Sequence, residues 1–205
     1  MHNLKNNTFK ILVIITAYVF SFEMIANPSF FVNDTKIVGT SSEDVDIYLG
    51  IPYAEPPIGS LRWEVTRPKI FETNRFVADK FAPACMQGPR IVNWYKGVAA
   101  GFGGDPNYIK TPEISEDCLY LNMWVPNELD NKEKIPVLIY IHGGSNRAGW
   151  SFEPNYIGKN LSRKGVIVIT VSYRLGVFGF YSHPYLDASN FALLDLIESL
   201  NWVKK

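Results

Sequence analysis

Five consecutive apolar residues, Val137 to Ile141, lead directly into the loop sequence His142-Gly143-Gly144-Ser145, and this junction restricts the possible folds more than any other feature. A short apolar run of this kind is typical of a strand that is buried on both faces. The two glycines predict a tight loop, which can direct backbone N–H groups towards an oxygen atom that carries negative charge. The sequence therefore predicts a central strand that ends in an anion-binding loop.

The residues on either side of this junction predict further elements of a layered fold. A helix is expected from about Asn155 to Lys164, followed by Gly165 in the position of a C-terminal cap and by a second apolar strand from Val166 to Ser172. Two buried strands joined by a helix form a parallel pair. Another strand is expected from Leu119 to Val125.

The last segment of the chain has the apolar periodicity of a helix. From Asn190 to Lys205, apolar residues recur at positions 193, 194, 197, 200 and 203, which places them on one helical face. Ser189 or Asn190 is suited to cap the start of this helix. Neither glycine nor proline follows to end it, so the sequence predicts that the chain stops within the helix.

The N-terminal half is more irregular than the C-terminal half. From Thr35 to Tyr53, short β-favouring runs alternate with Gly39 and Gly50, which predicts a small antiparallel meander. The prolines of segment 54–59 interrupt regular structure. Between Cys85 and Cys118 no convincing periodicity is found, and we predict one long, compact loop with a functional role.

The N-terminus has the composition of an export signal. Lys5 and Lys10 precede an apolar run from Ile11 to Phe22. This run has the length of a secretory signal core and is short for a transmembrane helix. Cleavage is expected after Ala26, and Ser21 is the second choice. An uncleaved membrane anchor is the alternative interpretation.

Cysteines and charges narrow the class of protein. Only two cysteines occur, Cys85 and Cys118. An export signal and an even count favour one disulfide, which would close a loop of about 34 residues; two free thiols are the alternative if the signal is not used. The formal net charge is zero and lysines and arginines form no cluster, which argues against nucleic acid and anionic membrane surfaces as partners.

The sequence contains a site for negative charge but no nucleophile to accompany it. No Gly-x-Ser-x-Gly motif occurs in the 205 residues. Of the three histidines, His2 lies in the predicted signal, His142 in the glycine loop and His183 in an irregular segment. A general base must lie within hydrogen-bonding distance of its nucleophile, and none of these histidines has a candidate serine. The chain therefore carries at most half of an acyl-transfer site.

Four blocks of sequence follow one another in the order found in a known family. They are Tyr48–Trp63, Ser115–Asn122, His142–Ser145, and Val171–Phe180 followed by Asn190–Asp195 and Leu200–Val203. In this order they resemble the N-terminal block, the signature around the second cysteine, the oxyanion loop and the segment before the nucleophile of type B carboxylesterases and cholinesterases. The resemblance covers about residues 33 to 205.

This resemblance implies an α/β-hydrolase fold, a Ser–Glu–His triad and the hydrolysis of carboxylic esters. Gly144 and Ser145 match the residues of the oxyanion loop whose backbone N–H groups stabilise the charged intermediate. The third donor of the family follows the nucleophile, which this chain lacks. Most relatives have glycine in place of Ser145, and the serine puts in question the room for a bulky acyl group.

The disulfide-closed loop takes its expected role from the same resemblance. Cys85 and Cys118 match a family disulfide that closes a loop beside the active-site gorge. Trp94 and Tyr95 lie within that loop. They are expected either to form part of the gorge wall, on the alcohol side of the substrate, or to pack the loop onto the rest of the protein.

Charged residues elsewhere in the blocks are expected to be structural. Arg62 and Glu116 match a family ion pair near the base of the disulfide-closed loop, which we expect to be buried. Tyr173, Arg174 and Asp195 are expected to be polar groups of the scaffold, because charges in buried strands persist only when they are paired.

We therefore predict a partial α/β-hydrolase fold with a small N-terminal antiparallel meander and an incomplete, mainly parallel central sheet. Residues 1–26 are predicted to be a signal peptide, and residues 27–205 the N-terminal portion of a carboxylesterase domain. The expected protein is secreted or periplasmic, needs no cofactor or metal, has no membrane contact after signal cleavage, and in full form hydrolyses small carboxylic esters, whereas this chain alone is inactive. The alternatives are a non-catalytic cholinesterase-like interaction protein and a truncated reading frame without activity.

Overall fold

The computed structural model describes residues 27–127 and 134–205, and the predicted signal peptide lies outside them. The described residues form ten β-strands and four α-helices. The strands are β1 (Ser29–Val32), β2 (Thr35–Val38), β3 (Thr40–Ser42), β4 (Val45–Pro52), β5 (Arg75–Val77), β6 (Ala84–Cys85), β7 (Ile114–Ser115), β8 (Tyr120–Pro126), β9 (Val137–Ile141) and β10 (Ile167–Val171). The helices are α1 (Arg90–Gly101), α2 (Lys159–Ser162), α3 (Gly176–Phe180) and α4 (Phe191–Lys204).

A five-stranded sheet in the order β3-β4-β8-β10-β9 forms the centre of the described structure. β10 pairs parallel with β9 and places Ile169 opposite Ile139, as the strand–helix–strand prediction requires. β3 with β4, β4 with β8, and β8 with β10 are antiparallel pairs. β9 is an edge strand within the described residues, and Val137, Leu138 and Ile141 are 38 to 47 % exposed.

The described part of the sheet differs in two respects from the predicted one. Only the β9–β10 pair is parallel, and a single crossover that contains α2 joins these two strands directly. β9 was expected to be buried on both faces, but it is half-exposed because β10 is its one neighbour among the described strands. The mixed sheet with helices on both faces agrees with the predicted α/β class.

The two faces of the sheet pack against different helices. Leu121 of β8 and Ile169 of β10 share one cluster with Trp202 of α4. Trp124 and Val168, which point the opposite way because side chains alternate along a strand, form a second cluster next to α2. The sheet therefore lies between α4 on one side and α2 on the other.

The predicted N-terminal meander is divided between two sheets. β1 pairs antiparallel with β2, and β2 pairs parallel with β5 in a separate three-stranded sheet. β3 and β4 form the expected antiparallel hairpin, but β4 continues into the central sheet by pairing with β8. The difference arises because β4 is long and apolar enough to be an internal strand, with Val45 and Ile51 fully buried.

Two predictions about helices are wrong. The segment between Cys85 and Cys118 was predicted to be a loop but contains α1, a helix of 12 residues. α1 buries only Val92, so its sequence lacks the wide apolar face that would identify it. The helix predicted over 155–164 is limited to the four residues of α2, because Gly158 packs against Trp124 and the chain before it forms turns.

The other strands and the helix that the sequence predicted in the C-terminal half agree with the structure to within one residue. β8 and β10 each coincide with a predicted strand, and α4 begins directly after Asn190. The Asn190 side chain makes no capping hydrogen bond, in contrast to the prediction; its main-chain carbonyl accepts one from the N–H of Leu194 at 3.2 Å. No helix in residues 27–127 and 134–205 is both long and apolar enough to cross a membrane.

Candidate active site

The loop that follows β9 has an uncommon backbone conformation. Gly144, Ser145, Asn146 and Gly149 have φ angles of 119°, 58°, 60° and 114°. Turn conformations of this kind form concave backbone sites that bind anions. The N–H groups of Gly144 and Ser145, the two predicted donors, make no hydrogen bond within the described part of the chain. Both groups are therefore available to an incoming oxygen atom.

The loop folds back on itself at two glycines. A Cβ atom at Gly144 would overlap the carbonyl oxygen of Ala148, and one at Gly149 would overlap the carbonyl oxygen of Gly143. Together with the positive φ values, this close approach requires glycine at both positions. Ala148 and Gly149, which we call the return limb, thus pack directly against the limb that carries the donors.

His142 is buried at the start of this loop. Its Nδ1 donates to the carbonyl oxygen of Gly143 at 2.9 Å, and its ring stacks on that of Tyr173 with centroids 4.6 Å apart. The Tyr173 hydroxyl donates to the main-chain carbonyl of His142 at 2.9 Å. Burial lowers the pKa of His142 from 6.5 to about 4, so the ring is neutral at physiological pH. His142 therefore shapes the loop and supplies no positive charge.

Two contacts from distant segments hold the loop from outside. The side-chain amide of Gln87 donates to the carbonyl of Gly149 and accepts from its N–H, both at 2.7 Å. The N–H of Gly176 donates to the carbonyl of Asn146 at 2.7 Å. Sequence reasoning did not find Gln87, because its partner is 62 residues away. The one available signal was its place two residues after Cys85.

A cavity of about 300 Å³ opens beside the loop. The backbone of Gly143 and Gly144 and the side chains of Trp94 and Tyr95 line it. Trp94 is 58 % exposed, whereas Tyr95 is partly buried, with its ring centroid 6.3 Å from that of Trp150. The structure thus brings both predicted aromatic residues to the predicted oxyanion loop, and Tyr95 also packs the disulfide-closed segment onto the body.

Glu153 is a buried carboxylate in the wall of this cavity. It accepts hydrogen bonds from the Tyr95 hydroxyl at 2.6 Å and from the N–H of Trp150 at 3.1 Å. Burial and the hydrogen bond to Glu153 raise the pKa of Tyr95 well above its ordinary value, so the hydroxyl remains a donor. Glu153 therefore links α1 to the end of the loop. Its signal in the sequence, a carboxylate between Phe152 and Pro154, was overlooked.

The predicted disulfide and the predicted ion pair are both present. Cys85 and Cys118 are bonded. Arg62 donates to both carboxylate oxygens of Glu116, over 2.5 and 2.8 Å, and this hydrogen-bonded partner raises the pKa of Arg62. The expectation that the pair is buried is wrong: the side chains are 38 % and 22 % exposed, because Arg62 follows a surface turn.

Arg174 and Asp195 form a buried ion pair at the end of β10. The Nη2 of Arg174 lies 2.8 Å from the Asp195 carboxylate, and the two side chains are 3 % and 0 % exposed. Arg174 also donates to the main-chain carbonyls of Arg62 and Glu64. The pair therefore connects β10, α4 and the segment that carries Arg62, as expected of scaffold groups.

Buried polar side chains lie between the sheet and the segment that follows the loop. Asn122 accepts from the N–H of Gly50 at 2.9 Å and donates to the hydroxyls of Ser151 and Thr170, both at 3.1 Å. The Ser172 hydroxyl donates to that of Ser151 at 2.8 Å. We call these four side chains the Asn122 cluster. They satisfy one another inside the protein, as buried polar groups must.

This arrangement can stabilise negative charge but cannot attack a carbonyl group. Each backbone donor of an oxyanion hole is worth about 3–4 kcal/mol of transition-state stabilisation. Among the described residues, Nε2 of buried His142 has no hydrogen-bond partner, and Nδ1 of His183 accepts from the N–H of Tyr185 at 3.3 Å. Neither histidine is hydrogen-bonded to a serine, so neither activates one.

Comparison with known proteins places these features in a family context. The sequence model of the Carboxylesterase family matches residues 26–205. The chain is 37 % identical over 168 residues to fumonisin B1 esterase of Sphingopyxis macrogoltabida, covering 78 % of this chain and 28 % of that protein. It is 34 % identical over 176 residues to para-nitrobenzyl esterase of Bacillus subtilis, covering 83 % and 33 %. With the cholinesterase of Mus musculus it shares 37 % over 164 residues, covering 78 % and 26 %.

The fold is also that of a solved esterase. The structure of a PNB esterase superposes with a TM-score of 0.76 at 32 % sequence identity, over 87 % of this chain and 35 % of that one. These similarities confirm the predicted resemblance and the predicted α/β-hydrolase fold class. The chain spans only about a third of the length of the curated relatives that it matches.

Proposed function

This chain belongs to the carboxylesterase family, and we propose that it forms the N-terminal part of an enzyme that hydrolyses carboxylic esters. In the proposed reaction, a serine supplied by the rest of the enzyme attacks the ester carbonyl and gives its proton to a general base, which passes it to the departing alcohol as the ester bond breaks. Water then hydrolyses the acyl-enzyme, which releases the carboxylic acid and frees the serine. The part played by this chain is to stabilise the charge on the carbonyl oxygen and to form one wall of the substrate site.

The observation that carries the proposal is the pair of free N–H groups at Gly144 and Ser145 beside an open cavity. When the serine attacks, the carbonyl oxygen becomes an oxyanion, and fixed donors stabilise it more strongly than they stabilise the ground state. Both donors belong to the main chain, so the serine side chain at position 145 removes neither. A third donor would come from the residue after the nucleophile.

The proposed substrate is a small-molecule carboxylic ester. The cavity beside Gly144 measures about 300 Å³, which is at the lower end of the range for small-molecule sites. Trp94 and Tyr95 would form its aromatic wall, and the Cys85–Cys118 disulfide would hold the segment that carries them. The relatives named as fumonisin B1 esterase and para-nitrobenzyl esterase support an ester as the substrate class.

Export to an oxidising compartment is part of the same proposal. Residues 1–26 were predicted to be a signal peptide, and the Cys85–Cys118 disulfide supports a secreted or periplasmic location. Mass spectrometry of the mature protein tests this. A chain that starts at Asn27 or at Phe22 supports the proposal, and a chain that retains Met1 contradicts it.

Assays on the full-length protein test the proposed activity. We expect it to hydrolyse p-nitrophenyl acetate with saturation kinetics and to react stoichiometrically with an organophosphate, while residues 27–205 alone do neither. Gly144→Ala should lower kcat by about 100-fold or more, because the added methyl group displaces the donors. Gly88→Ala, which has open space around it, is the control. An inert full-length protein or a catalytically active fragment would contradict the proposal.

A non-catalytic interaction protein is the competing proposal from a different class, because the same scaffold can occur without a working serine. The coding DNA beyond codon 205 separates the alternatives. A Gly-x-Ser-x-Gly motif supports the enzyme, and a family sequence in which that serine is replaced supports the interaction protein. A natural stop codon supports a truncated reading frame.

A further inference from the structure

We propose that Gln87 is a positioning residue for the oxyanion loop: its side-chain amide holds the return limb at Gly149 and thereby fixes the direction of the Gly144 and Ser145 N–H groups. The catalytic consequence rests on the proposed esterase function. The contact itself does not, and it can be tested separately.

The amide of Gln87 is used in three directions. Nε2 donates to the carbonyl of Gly149 at 2.7 Å and to that of Cys85 at 3.1 Å, while Oε1 accepts from the N–H of Gly149 at 2.7 Å. Because the N–H of Gly149 only donates and its carbonyl only accepts, one orientation of the amide satisfies both. A glutamate would keep the acceptor alone, and an alanine would keep neither function.

Gly149 is in direct contact with the part of the loop that carries the two N–H donors, so its position affects theirs. It packs so closely on the carbonyl oxygen of Gly143 and on the His142 ring that a Cβ atom would overlap both. The carbonyl of Gly143 and the N–H of Gly144 belong to the same peptide group. Since that group is planar and trans, fixing the direction of its oxygen fixes the opposite direction of its N–H.

The segment that carries Gln87 is held in place independently of the loop that Gln87 contacts. Cys85, which accepts one of the amide hydrogen bonds, is disulfide-bonded to Cys118 and is paired with Ser115 between β6 and β7. The amide therefore projects from a cross-linked segment towards a loop that lies 62 residues further along the chain. In its absence, Gly149 would lose both of its hydrogen bonds to the disulfide-closed segment.

Nuclear magnetic resonance of the full-length protein with 15N-labelled glycine tests the positioning role without any assay of activity. In Gln87→Ala, the amide signals of Gly144 and Gly149 should shift from their wild-type positions. Asn93→Ala is the matched control, because it removes an exposed amide from the same disulfide-closed segment, and it should leave both signals in place. An unshifted Gly144 signal in Gln87→Ala overturns the proposal.

Kinetics then test the consequence for catalysis. With p-nitrophenyl acetate, Gln87→Ala should lower kcat by about 10- to 100-fold and leave KM within about twofold, because misdirected donors affect the charged transition state and not substrate binding. Gln87→Glu, which keeps one hydrogen bond, should have a kcat between those of Gln87→Ala and the wild type. The kcat of Asn93→Ala should match that of the wild type. Gln87→Asn, one methylene too short, replaces the alanine variant if that variant does not fold.

The two proposals fail in different ways. A wild-type protein that hydrolyses no ester contradicts the proposed function. The amide signals of Gly144 and Gly149 still test the role of Gln87 in that case. An active enzyme whose kcat is unchanged in Gln87→Ala contradicts the positioning role and leaves the esterase proposal intact.

Discussion

Single residues in the predicted oxyanion loop adopt conformations that most side chains avoid. Ser145 and Asn146 lie in the left-handed region, with φ of 58° and 60°. This region costs an ordinary residue about 1–2 kcal/mol, whereas asparagine visits it more readily. The strain is therefore concentrated at Ser145, whose backbone conformation suits glycine.

Replacing Ser145 with glycine should stabilise the protein. We expect Ser145→Gly to raise the free energy of unfolding by about 1 kcal/mol, since it relieves the left-handed strain. Asn146→Gly, at nearly the same φ, should gain less because asparagine tolerates this region. Urea denaturation of the full-length protein measures both changes. A loss of stability in Ser145→Gly would show that its side chain is needed in the loop.

His142 predicts a dependence of stability on pH. Its pKa is lowered by burial from 6.5 to about 4, so between these values the unfolded chain binds a proton that the folded protein does not. The free energy of unfolding should therefore fall as the pH is lowered from about 6.5 to about 4, by up to about 3 kcal/mol from this residue.

Urea denaturation at a series of pH values tests this prediction. His142→Gln should lose less stability over that pH range than the wild type. Asn93→Ala, which replaces an exposed side chain that does not titrate, provides the control and should behave as the wild type does. Identical pH profiles for His142→Gln and the wild type would contradict the assigned burial effect.

The sequence predicted the site only where its chemistry is local. Gly144 and Ser145 were predicted as donors because a loop motif follows a strand directly. Gln87 and Glu153 were not found, because they act through hydrogen bonds to residues 62 and 58 positions away. No local pattern encodes contacts of that range, so only the folded chain reveals what these two side chains contact.

Among the elements, apolar content decided which could be predicted. β8 and β10 were located to within one residue because most of their buried side chains are apolar. α1 was missed because its exposed side carries apolar residues such as Trp94 and Val98, and its sequence includes Gly97. Tertiary packing also overrode the pattern at Gly158, which is needed next to Trp124.

Two glycines in helical conformation should respond oppositely to alanine. A Cβ atom at Gly158 would lie 2.6 Å from the Trp124 ring and 2.7 Å from Val168. Gly158→Ala should therefore destabilise the protein by about 1–3 kcal/mol through overpacking. Gly97, inside α1, has open space around it, and Gly97→Ala should stabilise by about 0.5–1 kcal/mol. Thermal unfolding measures both, and shifts of the same sign would contradict this account.

At the scale of the whole molecule, one face of the sheet is well covered, whereas one edge is not. α4 and the β1–β2 pair cover one face, and Arg174 joins β10, α4 and the segment near Arg62 into one unit. At one edge of the described sheet, β9 presents an apolar strand with no charged residue. Edges of this kind promote pairing between chains.

Residues 27–205 expressed alone should therefore aggregate or remain partly unfolded. Val137→Lys or Ile141→Lys, which places a charge on half-exposed β9 residues, should reduce aggregation of this fragment. Lys110→Ala, far from this edge in the sequence, is the control. Light scattering and the binding of a hydrophobic dye measure the effect. A soluble wild-type fragment that unfolds cooperatively and binds no dye would contradict the prediction.

The Asn122 cluster restricts how this protein can diverge. Replacing one of its four members alone leaves a partner without its hydrogen bond at a cost of about 1–3 kcal/mol, whereas a joint exchange that keeps an acceptor for the buried N–H of Gly50 avoids this cost. Drift at positions 122, 151, 170 and 172 must therefore be concerted. In a combinatorial library that is selected for folded protein, variants with a single change at one of these positions should be depleted. Variants in which all four positions change together and compensate one another should survive.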